Sequence, residues 1–197
     1  DSVSEAFRII RTNMDFMRVK SEKLQVVMFT SANPGAGKTF VSSNLAMSIA
    51  QTNKKVVLVD VDIRKGTLSG IFSNSSNRMG LTHYLSGSTD KVDDIVGTSE
   101  EYEKLDVIFS GPVPPNPAEL LLSERFDRLI TELRKRYDYI IVDNVPAGIV
   151  ADASIVNRVA DLTIFVVRSG VMDRRQLPEL ENMYRQEQLH NLSVILN

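Results

Sequence analysis

The sequence contains no cysteine and no tryptophan, and only two of its 197 residues are histidines. Without cysteine, disulfides and thiolate metal sites are excluded. The histidines, His83 and His190, lie far apart in different contexts, so we expect no histidine-based metal site. No apolar run approaches the ~20 residues of a membrane-spanning helix, and no signal-peptide pattern is present. We therefore expect a soluble, intracellular type of domain.

An excess of charge of one sign is also missing. Lys and Arg number 23 against 25 Asp and Glu, a net charge of −2, which gives no reason to expect a nucleic-acid partner. The length suits one domain with a large core, and a hydrophobic fraction of 43% is ordinary for a globular protein. We find no internal repeat or second domain. We expect residues 1–197 to form a single domain that is a fragment of a longer protein.

The most informative stretch is a strand, a tight loop and a helix in succession. An apolar run from Val26 to Phe29 meets small residues that end in Gly37-Lys38-Thr39, and an apolar helical pattern follows. This is the order of a P-loop. Its glycines let backbone N–H groups turn inward, Lys38 can reach terminal phosphates, and the Thr39 hydroxyl can ligate Mg²⁺. The alternative is a glycine-containing βα turn with an incidental lysine, and the flanking strand and helix argue against it.

The loop differs from the usual pattern in a way that affects its stiffness. Ala32 stands where the first glycine is usual, and Asn33-Pro34 makes the loop stiffer than a polyglycine one. We predict nucleotide contacts along the loop and at the start of the helix, from Asn33, Pro34, Gly35, Ala36, Gly37, Lys38, Thr39 and Phe40.

Two further apolar strands end in carboxylates. The first runs into Asp60-Val61-Asp62-Ile63-Arg64, and the second, from Tyr139, ends at Asp143. Buried carboxylates are costly without a cation, which a Mg²⁺ nucleotide beside the P-loop would supply. The alternative is that these acids lie in solvated βα loops. Because parallel strands place their carboxyl ends at one edge, we expect these acids to gather there with Lys38.

Strands and helices alternate along the chain, which predicts an α/β fold with a mostly parallel central sheet and helices on both faces. The predicted strands cover residues 23–31, 54–60, 105–110, 137–143, 162–168 and 192–196. The predicted helices cover residues 2–19, 38–51, 80–86, 90–96, 118–122, 123–136, 152–160 and 173–188. Residues 73–77 are polar and predict a mobile loop.

Taken together, these motifs resemble those of the bacterial tyrosine kinases (BY-kinases), in particular the cytoplasmic kinase domain of the Wzc and CapB type. The resemblance covers nearly the whole chain and consists of five motifs in order, namely Glu5-x2-Arg8-x2-Arg11, the Walker A loop at residues 32–39, the Asp60 to Arg64 segment, the proline-rich Gly111 to Ser123 segment and the Walker B Asp143. From spacing alone, the first motif is a solvated helix face with local ion pairs. The resemblance instead implies that it mediates subunit contacts.

The resemblance implies a P-loop NTPase fold of the MinD/ParA-like type and an ATP-dependent protein-tyrosine autokinase. Such an enzyme transfers the γ-phosphate of ATP to tyrosines in the C-terminal tail of a neighbouring subunit and regulates capsular and exopolysaccharide assembly and export. Lys38 would bind the β- and γ-phosphates, and Thr39, Asp62 and Asp143 would hold Mg²⁺. Asp60 would be the base or orienter for the tyrosine hydroxyl, so the catalytic set is Lys38, Asp60 and Asp62.

The resemblance also implies partners and a location. The first helix, residues 1–20, would assemble the chain into a ring-like homo-oligomer. Further partners would be a membrane-embedded polysaccharide co-polymerase segment, fused or separate, and a tyrosine phosphatase. The domain would lie in the cytoplasm at the inner face of the bacterial plasma membrane. Asn197 falls where related ATPases place an asparagine against the adenine.

Two departures from the family pattern keep an alternative open. Asn144-Val145-Pro146 replaces the usual Thr-Pro-Pro, and no tyrosine cluster is present. Asn33 replaces the lysine of the ParA and MinD type, which counts against a partitioning ATPase. The alternative is a non-kinase ATPase or nucleotide switch whose assembly state gates polysaccharide export. A kinase that phosphorylates a small metabolite is a further, weaker alternative.

Overall fold

Seven strands form one sheet in the computed structural model, which describes residues 2–20, 24–72, 79–147 and 152–197. The strands are β1 (Val26–Thr30), β2 (Val56–Asp60), β3 (Gly97–Thr98), β4 (Leu105–Ile108), β5 (Tyr139–Asp143), β6 (Leu162–Val167) and β7 (Leu192–Leu196). Their order across the sheet is β3-β4-β2-β5-β1-β6-β7, and every neighbouring pair is parallel except β3 with β4. The predicted parallel sheet is therefore confirmed.

Helices cover both faces of this sheet. They are α1 (Ser2–Lys20), α2 (Lys38–Ala50), α3 (Leu81–Leu85), α4 (Pro117–Leu122), α5 (Glu124–Arg136), α6 (Asp152–Asn157) and α7 (Leu177–Arg185). Alternate residues of each central strand point to opposite faces. Val27 and Phe29 of β1 pack with α1 and α2, whereas Val26 and Met28 pack with the α3 to α6 side. The continuous apolar strands thus reflect burial on both faces.

The first helix lies on the P-loop helix of the same chain. Phe7 and Met14 of α1 are buried, and the Phe7 ring meets the Phe40 ring edge-on with centroids 6.0 Å apart. Arg11 donates to the backbone carbonyl of Ser48 in the last turn of α2 over 2.7 Å. The amphipathic pattern of this helix therefore has an intramolecular partner.

A polar cluster ties the amino end of the central sheet together. Asp161 Oδ2 accepts the backbone N–H groups of Gln25 and Val26 over 2.9 and 2.7 Å. Arg134 of α5 donates to both oxygens of Asp161 over 2.8 Å each. The cluster lies at the opposite end of the strands from Lys38 and fixes where β1 and β6 begin.

Several predicted boundaries are wrong. Residues 90–96 contain only a 3-10 turn, Val92–Asp94, and the helix predicted for 152–160 ends at Asn157. The helix predicted for 173–188 is a 3-10 turn, Arg174–Gln176, followed by α7. The short antiparallel β3 was not predicted, because two residues carry no periodicity. The predicted loop at 73–77 lies outside the described residues. Within the described ranges, no helix combines the length and apolarity that crossing a membrane requires.

Candidate nucleotide and phosphoryl-transfer site

The loop between β1 and α2 has the backbone shape that an anion requires. Gly35 and Gly37 have φ angles of +76° and +90°, in the left-handed region that favours glycine. Helix α2 begins at Lys38, and its N-cap residue is Gly37, which has no side chain to cap the helix. The first N–H groups of α2 are therefore not occupied by an N-cap side chain, and the positive end of the helix dipole faces the same point.

A carboxylate from the neighbouring strand reaches the start of this helix. Thr39 Oγ1 donates to Asp143 Oδ2 over 2.7 Å. Asp143 is only 2% exposed, and its other oxygen, Oδ1, has no hydrogen-bond partner among the described residues. Burial raises the pKa of Asp143 to about 6, opposed by the Thr39 hydrogen bond and the charge of Lys38. A buried carboxylate oxygen without a donor is suited to a cation or to a water that a cation holds.

Lys38 supplies the positive charge of the site. Burial lowers the pKa of its ammonium group, while the carboxylates of Asp143 and Asp62 act in the opposite direction. Lys38 thus lies within the electrostatic influence of two acids that line the same cavity at the start of α2. This is the position that a phosphate-binding P-loop lysine needs.

The two acids after β2 play different parts. Asp62 is half-buried and lines the cavity, whereas Asp60 is 1% exposed and does not. Asp60 Oδ1 accepts the backbone N–H of Asp62, and Oδ2 accepts that of Leu68, each over 3.1 Å. Burial raises the pKa of Asp60 to about 7, opposed by the Leu68 hydrogen bond. Asp60 thus lies beneath the residues that line the cavity and holds the loop that carries Asp62.

One cavity, of about 490 Å³, joins these groups at the carboxyl ends of β1, β2 and β5. It is lined by Pro34, Gly35, Gly37, Lys38, Thr39, Asp62, Arg64, Lys65, Thr67, Asp143, Asn144, Val145 and Pro146. The expected gathering of Lys38 with Asp62 and Asp143 is therefore observed. A larger cavity, of about 750 Å³, lies near the amino end of β6, where its lining residue Asp161 is already engaged by Arg134.

The remaining predicted nucleotide contacts lie around the loop rather than in this cavity. Ala36 is buried, and its carbonyl accepts a hydrogen bond from Asn197 Nδ2 over 3.0 Å. Asn197 packs so closely on the loop that a Cβ at Gly37 would lie 2.3 Å from its Nδ2. Phe40 is half exposed beside Phe7, and Asn33 faces away from the cavity, toward Gln176.

The residues predicted to mediate assembly separate into two groups. Glu5 and Arg8 form an ion pair of 2.8 Å on the exposed side of α1. Arg11 is instead engaged with Ser48 of the same chain. Two of the three charged groups therefore point outward, and the third holds α1 on α2.

The donor set fits a magnesium nucleotide. It combines a left-handed glycine loop, a helix start without a side-chain cap, a lysine, a hydroxyl and two carboxylates, one with an unpartnered buried oxygen. Oxygen ligands of this kind are those that Mg²⁺ takes beside phosphates. Thr39, Asp62 and Asp143 could hold the metal, and Lys38 with the loop N–H groups could hold the phosphates.

Comparison with known proteins decides the family. Residues 24–190 match the AAA domain family. The chain is 38% identical to the tyrosine-protein kinase CpsD of Streptococcus pneumoniae over 193 residues, which are 98% of this chain and 83% of that protein. The solved kinase domain of the Escherichia coli tyrosine kinase ETK has a TM-score of 0.91 and 36% identity, covering 100% of this chain and 76% of that one. This chain belongs to the bacterial tyrosine kinases.

The kinase domain also occurs within a much longer chain. The full E. coli K12 protein, tyrosine-protein kinase etk, is 37% identical over 199 residues, which cover 100% of this chain but only 27% of that protein. The septum site-determining protein MinD of Pyrococcus horikoshii, solved with Mg-ADP, has a TM-score of 0.71 at 22% identity, covering 88% of this chain and 70% of that one. That likeness concerns the fold alone and confirms the predicted MinD-like class.

Sequence reasoning missed two residues of this kinase site, Thr67 and Gln176. Thr67 lines the cavity with its hydroxyl 3.2 Å from Thr39 Oγ1, and Gln176 bonds Asn33. Arg168, which the sequence places at the end of β6, donates to the carbonyl of Gly35 over 2.9 Å. Thr67 could have been sought because it lies in the loop after an acid-ending strand. Gln176 carries no local signal, because its partner is 143 residues away.

Proposed function

We propose that this chain is the catalytic domain of an ATP-dependent protein-tyrosine autokinase. It transfers the γ-phosphate of ATP to tyrosines in the C-terminal tail of a neighbouring subunit, and it regulates capsular or exopolysaccharide assembly and export. The observation that carries the proposal is the gathering of Lys38, Thr39, Asp62 and Asp143 around one cavity, in a chain of the tyrosine-kinase family.

The proposed roles follow from position and charge. Lys38 and the N–H groups of the loop bind the β- and γ-phosphates, while Thr39, Asp62 and Asp143 hold the metal. When bound, Mg²⁺ neutralises phosphate charge in such sites. In the transfer, the tyrosine oxygen bonds to the γ-phosphorus as the bond from that phosphorus to the bridging β-phosphate oxygen breaks, so that ADP leaves and the hydroxyl proton passes to solvent. Because phosphoryl transfer needs positioning and charge neutralisation, these residues do little covalent work.

Asp60 was predicted to be the base or orienter for the tyrosine hydroxyl; we propose instead that it is a positioning residue for Asp62. Its two oxygens accept the N–H groups of Asp62 and Leu68, which are the two ends of the loop lining the cavity. The carboxylate is also too buried to meet a tyrosine hydroxyl directly without movement of that loop. Asp60 thus acts by holding Asp62 at the cavity wall.

Four of the five tyrosines of the chain are poor acceptors, which supports a tail as the substrate. Tyr84 and Tyr139 are buried, and the Tyr137 hydroxyl donates to Asp106 over 2.7 Å. Tyr184 is 65% exposed, but it lies within α7 rather than in an extended segment. An acceptor must approach the phosphate in line, which a flexible tail does more readily than a packed ring.

The deciding experiment uses the full-length protein that contains this chain. It is incubated with Mg²⁺ and γ-labelled ATP, with its activator where one is required, and phosphotyrosine is mapped by mass spectrometry. We expect phosphotyrosine in the parent and its loss in Asp60→Asn, because the asparagine amide cannot accept from both N–H groups. Absence of phosphotyrosine from the assembled, activated parent would refute the autokinase.

The same experiment tests a second candidate, the nucleotide switch. The observation behind it is the loop after Asp143, where Asn144 is buried and Val145 and Pro146 line the cavity in place of the family's usual residues. Labelled phosphate released to water, with nucleotide-dependent assembly and no phosphotyrosine, would favour the switch.

Assembly into a ring-like homo-oligomer is part of the proposal. The outward ion pair of Glu5 and Arg8 is available for a neighbouring subunit, whereas Arg11 acts inside the chain. We expect Arg8→Ala to lower the mass of the protein in sedimentation. Arg185→Ala is the matched control, because Arg185 forms a comparable exposed helical ion pair with Glu181. Equal masses for the parent and Arg8→Ala would mean that the Glu5 and Arg8 side chains form a solvated helix face and do not mediate subunit contacts.

The remaining partners follow from the family. We propose a membrane-embedded polysaccharide co-polymerase segment, fused or separate, a cytoplasmic location at the inner face of the membrane, and reversal by a tyrosine phosphatase. The 27% share of the E. coli etk chain that this domain covers leaves ample sequence in that relative for a further segment. Co-purification with the membrane fraction, with and without the partner gene product, would test this placement.

A further inference from the structure

The outer side of the P-loop is bonded to the segment between β6 and α7. Asn33 Nδ2 donates to Gln176 Oε1 over 2.8 Å, and Gln176 Nε2 donates back to Asn33 Oδ1 over 3.2 Å. Gln176 Oε1 also accepts the backbone N–H of Asp173 over 3.2 Å. Because that N–H needs an acceptor, the orientation of the Gln176 amide is set, and with it the orientation of the Asn33 amide.

A second bond from the same segment reaches the loop two residues further on. Arg168 donates to the carbonyl of Gly35 over 2.9 Å. Gly35 lines the cavity and has a left-handed φ of +76°, so the bond holds a residue whose conformation shapes the phosphate side. Asn33 does not line the cavity, so the segment grips the loop from outside and leaves the phosphate side open.

The segment between β6 and α7, residues 168–176, contributes little to the core. It contains no buried residue, and Val171 within it is 43% exposed. Contacts of this kind can be removed without opening a cavity in the core. The bonds to the P-loop therefore have a separate physical consequence, which is to restrict the conformations of the loop.

We propose that Gln176 is a positioning residue for nucleotide binding. By bonding Asn33 it holds the P-loop in its phosphate-binding shape, and it links nucleotide occupancy to the start of α7. The inference rests on the proposed binding of nucleotide by this loop. A loop ordered beforehand costs less to order on binding. Because linkage is reciprocal, bound nucleotide in turn stabilises the start of α7.

A double-mutant cycle on the full-length protein tests the proposal. The affinity for a fluorescent ADP analogue with Mg²⁺ is measured for the parent, Asn33→Ala, Gln176→Ala and the double variant. We expect each single variant to bind about fivefold more weakly, as for loss of one or two neutral hydrogen bonds, and the double variant to bind no more weakly than the singles. Gln188→Ala is the control, because the Gln188 amide donates to Gln186 on the exposed surface, away from the P-loop. Its affinity for the ADP analogue should stay within about twofold of that of the parent.

Hydrogen exchange provides a readout that a merely structural role would not move. We expect Mg-ADP to slow exchange of the amides of residues 173–177 in the parent and to leave them unchanged in Asn33→Ala. Independent losses that multiply in the double variant would overturn the proposal. Reduced thermal stability with unaltered affinity would also overturn it. Failure of the parent protein to bind nucleotide would overturn the proposed function and this inference together. Because the affinity of the parent is measured first, this outcome is separated from a failure of the inference alone.

Discussion

Replacing Arg11 by alanine should destabilise the isolated subunit, whereas replacing Arg8 should not. The Arg11 guanidinium donates to the carbonyl of Ser48 over 2.7 Å and lies 3.2 Å from its hydroxyl. Ser48 is in the last turn of α2, where Thr52 N donates to the carbonyl of Ile49 instead of continuing to Ser48. Arg11 therefore supplies a charged donor to a carbonyl at the negative end of the helix dipole.

The magnitude follows from these contacts. A hydrogen bond to a charged group contributes about 1.5–3 kcal/mol, and a cation at a helix C-terminus about 0.3–1 kcal/mol. Since Arg11 is half-buried, we expect a net loss of about 2 kcal/mol, or roughly 4–8 °C in Tm for a domain of this size. The Glu5–Arg8 pair is 52% and 64% exposed, so Arg8→Ala should cost less than about 1 kcal/mol.

Thermal and denaturant unfolding, at a concentration where the protein is monomeric, is the assay. Arg11→Lys should recover part of the loss, because lysine keeps the charge but presents a single flexible ammonium group. Equal unfolding free energies for Arg8→Ala and Arg11→Ala would refute the reasoning. So would a full loss in Arg11→Lys, which would mean that packing rather than charge is responsible.

Three further predictions concern the site and the sheet. Lys38→Met should abolish nucleotide binding, measured by fluorescence titration. The Tm should be unchanged or higher, because a buried cation is removed. A lower Tm would mean that the lysine is structural. Without Mg²⁺ and nucleotide, the unfolding free energy should fall from pH 5 to about pH 7 and then level off, by roughly 2.5–3 kcal/mol from Asp60, whose folded pKa of about 7 lies above its unfolded value. Asp60→Asn should reduce that slope in denaturant unfolding, leaving the part that comes from Asp143, whose pKa burial also raises, and an unchanged slope would contradict the assignment. Arg134→Ala should cost about 2–3 kcal/mol, since it leaves the Asp161 carboxylate without its cation, and a loss below 0.5 kcal/mol would contradict this reading.

The parallel sheet and most of the site follow from local patterns. Apolar runs of four or five residues that end in an acid predict buried strands whose carboxyl ends meet, and the register indeed pairs Asp60 with Asp143. The glycines around Lys38 predict the positive φ angles that the loop adopts. Boundaries such as those of α6 and α7 could not be predicted, because short helices on the periphery depend on contacts with distant segments rather than on periodicity.

What the sequence by itself determined is therefore the class of fold, the P-loop and the strand ends that carry its acids. Tertiary structure alone decided which of these groups face the cavity. Asp60 and Asp62 look equivalent in the sequence, yet Asp60 turns back to the N–H of Leu68 and only Asp62 lines the cavity. Likewise Arg11 reaches α2, and Asn33 meets Gln176 across 143 residues. Such choices depend on hydrogen bonds between distant segments, which no local spacing of residue types encodes.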